Sequence, residues 1–358
     1  MCEEVAKDAE NFFNLCFSGS VAEIPEIVAI NGLRFNNALC GAGGLKRRQG
    51  QPRLNQLATE QANLASAELD RKSSFEIAQI INTEDAKIAA AVKPALPQIG
   101  EAIDLIADAL ENGGRLIYVG AGTSGRIAAL DAAECPPTFN TDPKTVQFVI
   151  AGGPKALGEA VEANEDSRRL GEHELAKRRP GQNDVVVGIA ASGRTPFTVA
   201  ALEYAHRRGA KTIAVTSNPN SPLEKAADLT IVAEVGPEVI SGSTRMKAGT
   251  AQKMILNMLS TGAMTRLGYV YNNLMANVHL KNEKLAERGV TILERATGVS
   301  GDRAREALNS AGDQVPVALV MLAANVSRRK AENALKQANG YVRRAIALAA
   351  PQKHSRSL

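Results

Sequence analysis

Residues 116–126 read LIYVGAGTSGR, a short apolar run that passes directly into a glycine-rich polar turn. Unbroken runs of Leu, Ile and Val are typical of strands that are covered on both faces, because neither face carries polar residues. The small residues of the turn let an anion approach the backbone, and the helix that follows offers unpaired N–H groups and the positive end of its dipole. The stretch therefore predicts a buried strand, a phosphate-binding turn and a helix, in that order.

More apolar runs of the same kind follow along the chain. They occupy residues 146–150, 185–189, 212–215 and 229–232, and helix-length segments or loops lie between most of them. Strands that alternate with helices form a parallel sheet that is covered by helices on both faces. We therefore expect an α/β fold, in which a parallel sheet forms the middle of three layers.

Helical patterns precede this sheet. Ser73 or Ser74 is a candidate N-cap for a helix over residues 75–81, and residues 83–85 (TED) supply a second helix start before an Ala-rich segment. A third helix is predicted over residues 99–110, where apolar residues recur at spacings of three and four before Asn-Gly-Gly. The chain is therefore expected to enter the sheet through N-terminal helices.

Helical patterns also follow the sheet. Residues 246–267 predict one long helix. Four glycines then divide the rest of the chain into three or four helices: Gly298, Gly301, Gly312 and Gly340. This pattern predicts a small C-terminal helical subdomain.

The composition is that of an ordinary globular protein. Of the 358 residues 44% are hydrophobic, but no apolar run approaches the roughly 18 to 20 residues of a membrane-spanning helix, so we expect no membrane partner. Nucleic acid is also excluded as a partner, because only 4% of residues are aromatic and the charges that sum to +4 are interspersed. The four cysteines and four histidines show no ligand spacing, so neither a disulfide framework nor a metal site is expected. This cysteine pattern and an acidic start without a secretory signal favour the cytoplasm.

The first turn also satisfies the GxGxxG pattern of dinucleotide-binding folds, through Gly120, Gly122 and Gly125. In those folds the next strand ends in an acidic residue that holds the ribose hydroxyls of NAD. Here that strand ends in residues 151–153 (AGG), which contain no acid. A dehydrogenase is therefore the weaker interpretation.

A second turn supports a sugar phosphate instead. Residues 190–196 (AASGRTP) follow the strand at 185–189, and their Ser-Gly-Arg repeats that of the first turn. A monophosphate that is held from two directions needs hydroxyl and amide donors from two strand ends. The candidate phosphate ligands are Gly122, Thr123, Ser124, Ser192, Arg194 and Thr195. The alternative is that the Ser and Thr residues only cap two ordinary helices.

Further polar candidates lie outside the two turns. Ser243, Arg245 and Lys247 stand in a glycine-containing segment before the long helix, where they are either substrate contacts or solvated first-turn residues. Glu134 stands near a helix C-terminus, where a carboxylate opposes the dipole at a cost of roughly 0.3 to 1 kcal/mol. Glu165 belongs to an acidic cluster that otherwise predicts a solvated face. Both glutamates are candidates for a catalytic role.

Four segments together carry a resemblance to a known family. They are residues 115–137 (RLIYVGAGTSGRIAALDAAECPP), 150–153 (IAGG), 184–196 (DVVVGIAASGRTP) and 242–253 (GSTRMKAGTAQK). These segments closely resemble the N-acetylmuramic acid 6-phosphate etherases, bacterial enzymes built on the sugar isomerase (SIS) domain. The resemblance covers about residues 54–346 and departs at residues 1–53, which the usual family start does not include.

The resemblance implies cleavage of the D-lactyl ether at C3 of the amino sugar. The products would be N-acetylglucosamine 6-phosphate and D-lactate, and neither a metal nor another cofactor would take part. The acidic pair of the family maps onto Glu134 and Glu165. We expect Glu134 to be the acid toward the lactyl oxygen and Glu165 to be the base at C2, although the residues alone leave the order of the two roles open.

SIS relatives are commonly dimers, so we expect a homodimer that binds a small sugar phosphate. Fold alone does not settle function, because relatives include sugar-phosphate isomerases and a regulator that only binds sugar phosphates. A regulator has no need of the glutamate pair, and an aldose–ketose isomerase releases no lactate. The presence of both glutamates therefore favours the etherase.

The sequence patterns and the resemblance together predict four parts of the chain. They are an extension at residues 1–53, a helical lead-in at 54–105, the SIS sugar-phosphate-binding domain at 106–269 and the C-terminal helical subdomain at 270–350. Residues 1–53 show no sustained helical or strand period, so we expect this extension to be poorly ordered.

Overall fold

The computed structural model describes residues 57–161, 164–278, 280 and 283–350, which all lie in one compact unit of the chain, Pro52–Leu358. The expected extension at residues 1–53 lies outside the described residues. The boundaries of the other three parts stay a prediction.

Five parallel strands form one sheet in the described part of the chain, in the spatial order β2-β1-β3-β4-β5. They are β1 (Leu116–Gly120), β2 (Val146–Ile150), β3 (Val185–Ile189), β4 (Lys211–Thr216) and β5 (Leu229–Val232). Each strand coincides with a predicted apolar run or contains it, and every neighbouring pair is parallel. The predicted α/β fold with a parallel sheet is confirmed.

Among residues 57–161, 164–278 and 283–350 there are thirteen α-helices. In chain order they are α1 (Ser74–Asp85), α2 (Ile88–Val92), α3 (Leu96–Glu111), α4 (Gly122–Phe139), α5 (Arg168–Ala176), α6 (Pro196–Arg207), α7 (Pro222–Lys225), α8 (Lys247–Arg266), α9 (Glu283–Thr297), α10 (Gly301–Ser310), α11 (Val315–Ala324), α12 (Arg328–Gln337) and α13 (Val342–Ala349). The long helix that the sequence predicts is α8.

The side chains of β1 alternate between two apolar layers. Leu116 and Tyr118 pack with residues of α3, α4 and α8 on one face of the sheet. Ile117 and Val119 pack with residues of α5 and α6 on the other face. Because all four side chains are fully buried, the sheet is the middle of the three predicted layers.

Ser73 caps α1 through a reciprocal pair of hydrogen bonds, as the sequence predicts. Its Oγ accepts from Glu76 N over 3.4 Å, and the Glu76 carboxylate accepts from Ser73 N over 2.8 Å. These bonds satisfy two N–H groups that the first turn of a helix leaves unpaired.

The prediction of a second helix start at residues 83–85 is wrong. These residues form the last turn of α1, and Ala86 N continues the helical pattern by donating to Asn82 O. The Glu84 carboxylate does not cap a helix, because it turns into the protein interior. The next helix, α2, begins at Ile88.

The chain after the sheet forms more helices than the glycine pattern predicts. Within the described residues from 283 to 350 there are five, α9 to α13, instead of three or four. The extra break is at Asn325, whose φ of 51° ends α11 in the left-handed conformation that Asn tolerates. Gly301, in contrast, is the first residue of α10. These helices share an apolar core of their own.

No single helix in the described residues is long and apolar enough to cross a membrane. The pair α10 and α11 meets such a test of length and composition only when the two are joined across a bend of 117°. Both helices contribute buried residues to the core of the C-terminal helices.

Candidate active site

The two predicted phosphate turns lie side by side at one edge of the sheet. β1 and β3 are hydrogen-bonded neighbours, and their last residues, Gly120 and Ile189, are in register. From these strand ends α4 packs on one face of the sheet, whereas α6 packs on the other face. In open α/β sheets, ligands bind in the crevice that opens where connections diverge in this way. The turns are therefore placed at the mouth of such a crevice.

Each glycine of the first turn has its own structural reason. A Cβ on Gly120 would lie 2.8 Å from Gly125 N, and a Cβ on Gly125 would lie 2.5 Å from Ile150 Cγ1. These two glycines therefore let α4 start directly against the ends of β1 and β2. Gly122 has a φ of 51°, which lies in the left-handed region where other side chains are strained. Packing and backbone geometry thus explain the GxGxxG pattern without a dinucleotide.

The N-terminus of α4 is not closed by a side chain. Its N-cap residue is Ala121, whose side chain has no atom that could accept a hydrogen bond. In the described part of the chain, the backbone N–H groups of Gly122, Thr123 and Ser124 have no hydrogen-bond partner. The first turn of α4 therefore offers three donors, together with the positive end of the helix dipole, to an anion.

Side chains of α4 and α8 meet beside this turn. Ser124 Oγ donates to Gln252 Oε1 over 2.9 Å, and both side chains are buried. A Cβ on Gly249 would lie 3.3 Å from Thr123 Cγ2, so the start of α8 also approaches the start of α4 closely. Gln252 therefore belongs to the surroundings of the first turn.

The second turn is held in shape by its own polar groups. Gly193 has a φ of 66°, and a Cβ there would lie 2.3 Å from the side chain of Ser221. Ser192 Oγ accepts from Arg194 N over 3.2 Å. Thr195 immediately precedes α6, but its side chain forms no capping bond. The alternative that Ser and Thr cap both helices in the ordinary way therefore does not describe either turn.

Glu165 lies beside this second turn. Its backbone O accepts a hydrogen bond of 3.0 Å from Phe197 N, in the first turn of α6. Its side chain is half-buried, as are those of Ser192 and Thr195. The structure therefore brings one of the two glutamates to the edge of the sheet where the phosphate turns lie.

Glu134 lies away from that edge within one chain. It follows Ser124 on α4 at a rise of 1.5 Å per residue, so roughly 15 Å of helix separates the two residues. Its side chain is exposed and lines a cavity of about 380 Å³ between α4 and α8. A single chain thus does not bring Glu134 to the first phosphate turn.

A buried carboxyl, Asp131, lines the same cavity. Tyr118 Oη donates to its Oδ2 over 2.9 Å, and Ser260 Oγ donates to its Oδ1 over 3.1 Å. Burial raises the pKa of Asp131 to about 6, although both hydrogen bonds lower it. With its amide in the satisfied orientation, Asn257 donates to Asp131 Oδ1 over 3.2 Å and accepts from Lys253 Nζ over 2.8 Å. The network therefore holds an ammonium group at the cavity wall.

The protein itself closes the N-terminus of α8. Glu238 Oε2 accepts from Lys247 N over 2.9 Å, and Glu238 Oε1 accepts from Ala248 N over 3.0 Å. Glu238 is fully buried, and burial raises its pKa despite these two bonds. The donors at the start of this helix are therefore already used inside the protein.

Lys247 is a correction to the set of expected substrate contacts. Its Nζ forms an ion pair of 2.7 Å with Glu84 Oε2, in which the two side chains are 3% and 4% exposed. Burial opposes ionisation of Glu84, but hydrogen bonds from Lys247, Lys87 and Asn63 outweigh it and lower the pKa of Glu84 to about 2. Because its ammonium is buried and paired, Lys247 cannot contact a substrate in this arrangement.

The other polar candidates differ in accessibility. Ser243 is half-buried and Arg245 is exposed, in the segment before α8. Arg126, in the first Ser-Gly-Arg, donates from Nε to Ala156 O over 2.9 Å and from Nη2 to Glu159 O over 2.7 Å. This arginine therefore anchors the segment after β2 through two backbone carbonyl groups.

Reasoning from the sequence missed four buried polar side chains around these helices. They are Glu84, Asp131, Glu238 and Gln252. Three of them bond to groups that are distant in sequence, and no local spacing predicts such partners. For Asp131 and Gln252 a signal was present, because both lie in the segments that carry the family resemblance.

Comparison with known proteins agrees with this fold. The glucokinase regulatory protein N-terminal SIS domain matches residues 98–206, and the SIS domain matches residues 174–262. An N-acetylmuramic acid 6-phosphate etherase of Symbiobacterium thermophilum is 57% identical over 76% of this chain and 91% of its own length. Those of Klebsiella aerogenes and Bacillus subtilis are 49% and 47% identical, each over 82% of this chain and over 98% and 96% of their own lengths. This chain therefore belongs to the N-acetylmuramic acid 6-phosphate etherase family.

Proposed function

We propose that the chain converts N-acetylmuramic acid 6-phosphate and water into N-acetylglucosamine 6-phosphate and D-lactate, a step of cell-wall amino-sugar recycling. Family membership over most of the chain supports the overall reaction. The observation that carries the site is that the two polar turns are neighbours at the diverging end of β1 and β3. The substrate is a charged phosphate ester, which does not cross a membrane unaided. We therefore place the reaction in the cytoplasm.

The phosphate is the part of the substrate that the turns hold. Backbone N–H groups of Gly122, Thr123 and Ser124 face it from one side, and Ser192 and Thr195 approach it from the neighbouring strand end. Hydrogen bonds to a charged group contribute about 1.5 to 3 kcal/mol each. This binding energy, remote from the reacting carbons, orients C2 and C3 of the sugar.

The chemistry needs a base at C2. An ether oxygen is a poor leaving group, but opening of the sugar to its aldehyde makes the C2 proton acidic. Glu165, which lies beside the second turn, removes this proton, and lactate then leaves from C3 by β-elimination. Water adds back at C3 of the resulting double bond, and C2 is protonated. Each such proton transfer contributes about 10² to 10⁴ in rate.

The departing lactyl oxygen needs an acid, and we assign this role to Glu134. Because roughly 15 Å of α4 separates Glu134 from the first turn, the proposal includes a second copy of the chain that carries its Glu134 to the site of the first. Leu130 supports such an interface, since it lies one turn before Glu134 on α4 and is 48% exposed. The active enzyme is then a homodimer with shared sites.

The two glutamates are separated by different measurements. For Glu165→Gln, exchange of the C2 proton with solvent deuterium should be lost together with lactate release. Glu134→Gln should release lactate about 10² to 10⁴ times more slowly while exchange continues. Continued exchange in Glu165→Gln, or lactate release near the parent rate in Glu134→Gln, would contradict the assigned roles.

Mixing the two inactive variants tests the shared site. In a mixed dimer one site combines the intact Glu165 of one chain with the intact Glu134 of the other, so random exchange of subunits should restore about a quarter of the parent activity. If both glutamates act within one chain, no activity returns on mixing. Release of D-lactate by the parent protein from N-acetylmuramic acid 6-phosphate is the positive control, and it also excludes an isomerase or a regulator without chemistry.

A further inference from the structure

Only one of the two polar atoms in the Gln252 carboxamide has a hydrogen-bond partner among the described residues. The residue is 2% exposed, and its Oε1 accepts the hydrogen bond from Ser124 Oγ. Its Nε2 has no hydrogen-bond partner in the described part of the chain. Buried N–H groups without an acceptor are rare in folded proteins because they lose their bonds to water on burial. The unpaired donor therefore calls for an explanation.

The position of this donor indicates which acceptor would satisfy it. Ser124 is the third residue of α4, whose first N–H groups are open to an anion. The single hydroxyl proton of Ser124 is used by the bond to Gln252 Oε1, so the Ser124 side chain has no proton left for a ligand. Within the described residues, Gln252 Nε2 is an unpaired donor on the amide that Ser124 contacts, so it can add to the N–H groups of this turn. An oxygen atom with negative charge fits both the amide and the helix terminus.

We propose that Gln252 is a substrate-binding residue, whose Nε2 donates a hydrogen bond to a phosphate oxygen of the bound sugar phosphate. Ser124 is its positioning residue, because the bond to Oε1 fixes which end of the amide faces the turn. The inference deepens the proposed function and rests on it only for the identity of the sugar. The contact itself can be tested with inorganic phosphate.

Two substitutions of Gln252 separate the effect of its hydrogen-bond donor from the effect of its side-chain volume. Gln252→Leu keeps the approximate size and removes both polar atoms, whereas Gln252→Glu keeps an acceptor for Ser124 and replaces the donor with an oxygen. Binding of inorganic phosphate, measured by calorimetry, should weaken about 10- to 100-fold in Gln252→Leu and further in Gln252→Glu. KM for the sugar phosphate should rise by a similar factor, with kcat changed far less.

A control distinguishes ligand binding from a structural role. Gln147→Leu also removes an amide, one that donates to Lys144 O away from the turns, and it should leave phosphate binding unchanged. Without phosphate, Gln252→Leu removes the unpaired Nε2 but also the acceptor of Ser124 Oγ, so the two effects on stability oppose each other and its melting temperature is the baseline for its own phosphate titration. With phosphate, the parent and Gln147→Leu should gain thermal stability and Gln252→Leu should gain little.

The role of Ser124 gives a second measurement. If Ser124 acts by positioning Gln252, the double variant Ser124→Ala with Gln252→Leu should bind phosphate no more weakly than the weaker single variant. Phosphate dissociation constants within twofold of the parent in both Gln252 variants would overturn the proposal, as would fully additive losses in the double variant. If the parent binds phosphate but releases no lactate, the proposed function fails while the assignment of Gln252 stands.

Discussion

The segments before α4 and α8 are similar in sequence, but the first N–H groups of the two helices differ. Those of α8 are bonded within the protein, whereas those of α4 have no partner among the described residues. Each helix follows a polar, glycine-containing segment that predicts an anion site. At α8 the buried carboxylate of Glu238 accepts from the first two N–H groups, so the protein supplies the anion itself. At α4 the N-cap is Ala121, and no carboxylate of the described residues takes the corresponding place. A local pattern therefore predicts that a helix terminus attracts an anion, but the tertiary structure decides whether that anion is internal or bound.

Lys247→Met tests the buried ion pair at the start of α8 and has the largest expected effect on stability. The substitution leaves the Glu84 carboxylate buried without its buried partner, which we expect to lower the free energy of unfolding by about 3 to 5 kcal/mol. Urea denaturation measures this loss. The matched control is Lys87→Met, because Lys87 contacts the same carboxylate but is 61% exposed and should cost less than about 1 kcal/mol. A rise in KM without a loss of stability would instead make Lys247 a substrate contact.

The pH dependence of stability tests the same buried ion pair from the side of Glu84. The folded protein lowers the pKa of Glu84 from 4.5 to about 2, so the unfolded state binds more protons between these values. The contribution of Glu84 to the free energy of unfolding should therefore be complete above about pH 4.5. It should decrease as the pH falls toward 2, by on the order of 3 kcal/mol. Denaturation midpoints of the parent and Glu84→Gln across this range measure the contribution. Equal slopes for both proteins would contradict it.

Glu238→Gln would make the start of α8 more like that of α4. The amide can accept from only one of the two N–H groups and turns its own donor toward the other, so we expect a loss of about 2 kcal/mol in the free energy of unfolding. Added inorganic phosphate should not restore this stability, because the site of the Glu238 carboxylate is fully buried. Restoration by phosphate would show that burial is not what separates the two termini.

Gly122→Ala is the mildest test and concerns α4. Ala at a φ of 51° is strained, which we expect to cost about 1 to 2 kcal/mol of stability. Apart from its chain neighbours and the backbone of its own helix, no atom of the described residues lies within 4 Å of the added Cβ, so the strain is not increased by a clash with another element. Thermal melting with and without phosphate separates a loss of stability from a loss of binding. Unchanged melting would show that the left-handed conformation at this position is not required.

The sequence predicted those features of the molecule that depend on neighbouring residues. The strands were predictable because unbroken runs of Val and Ile mark buried strands whichever helices cover them, and the two turns were predictable because each directly follows such a run. The helix start expected at residues 83–85 was wrong because Glu84 bonds to Lys247, far along the chain. The break at Asn325 was missed because the pattern counted only glycines.

The site was predictable to a smaller extent than the fold. Serine and glycine composition indicated the turns, but the Gln252 contact with Ser124 and the Asp131 contact with Ser260 join different helices. Such contacts depend on how α4 packs against α8, and hydrophobic spacing does not determine which polar side chains then face each other. The separation of Glu134 from the first turn follows from helix geometry, once both are assigned to one helix.

The close approach of Gly125 to Ile150 limits how this protein could be redesigned for another sugar. Any larger residue at Gly125 would have to displace a side chain of the sheet, so the shape of the first turn cannot be varied independently of the core. Thr123 is different, since its side chain is half-buried and stands on the rigid turn. A mutant library intended to change ligand preference should therefore vary Thr123 and leave the glycines fixed.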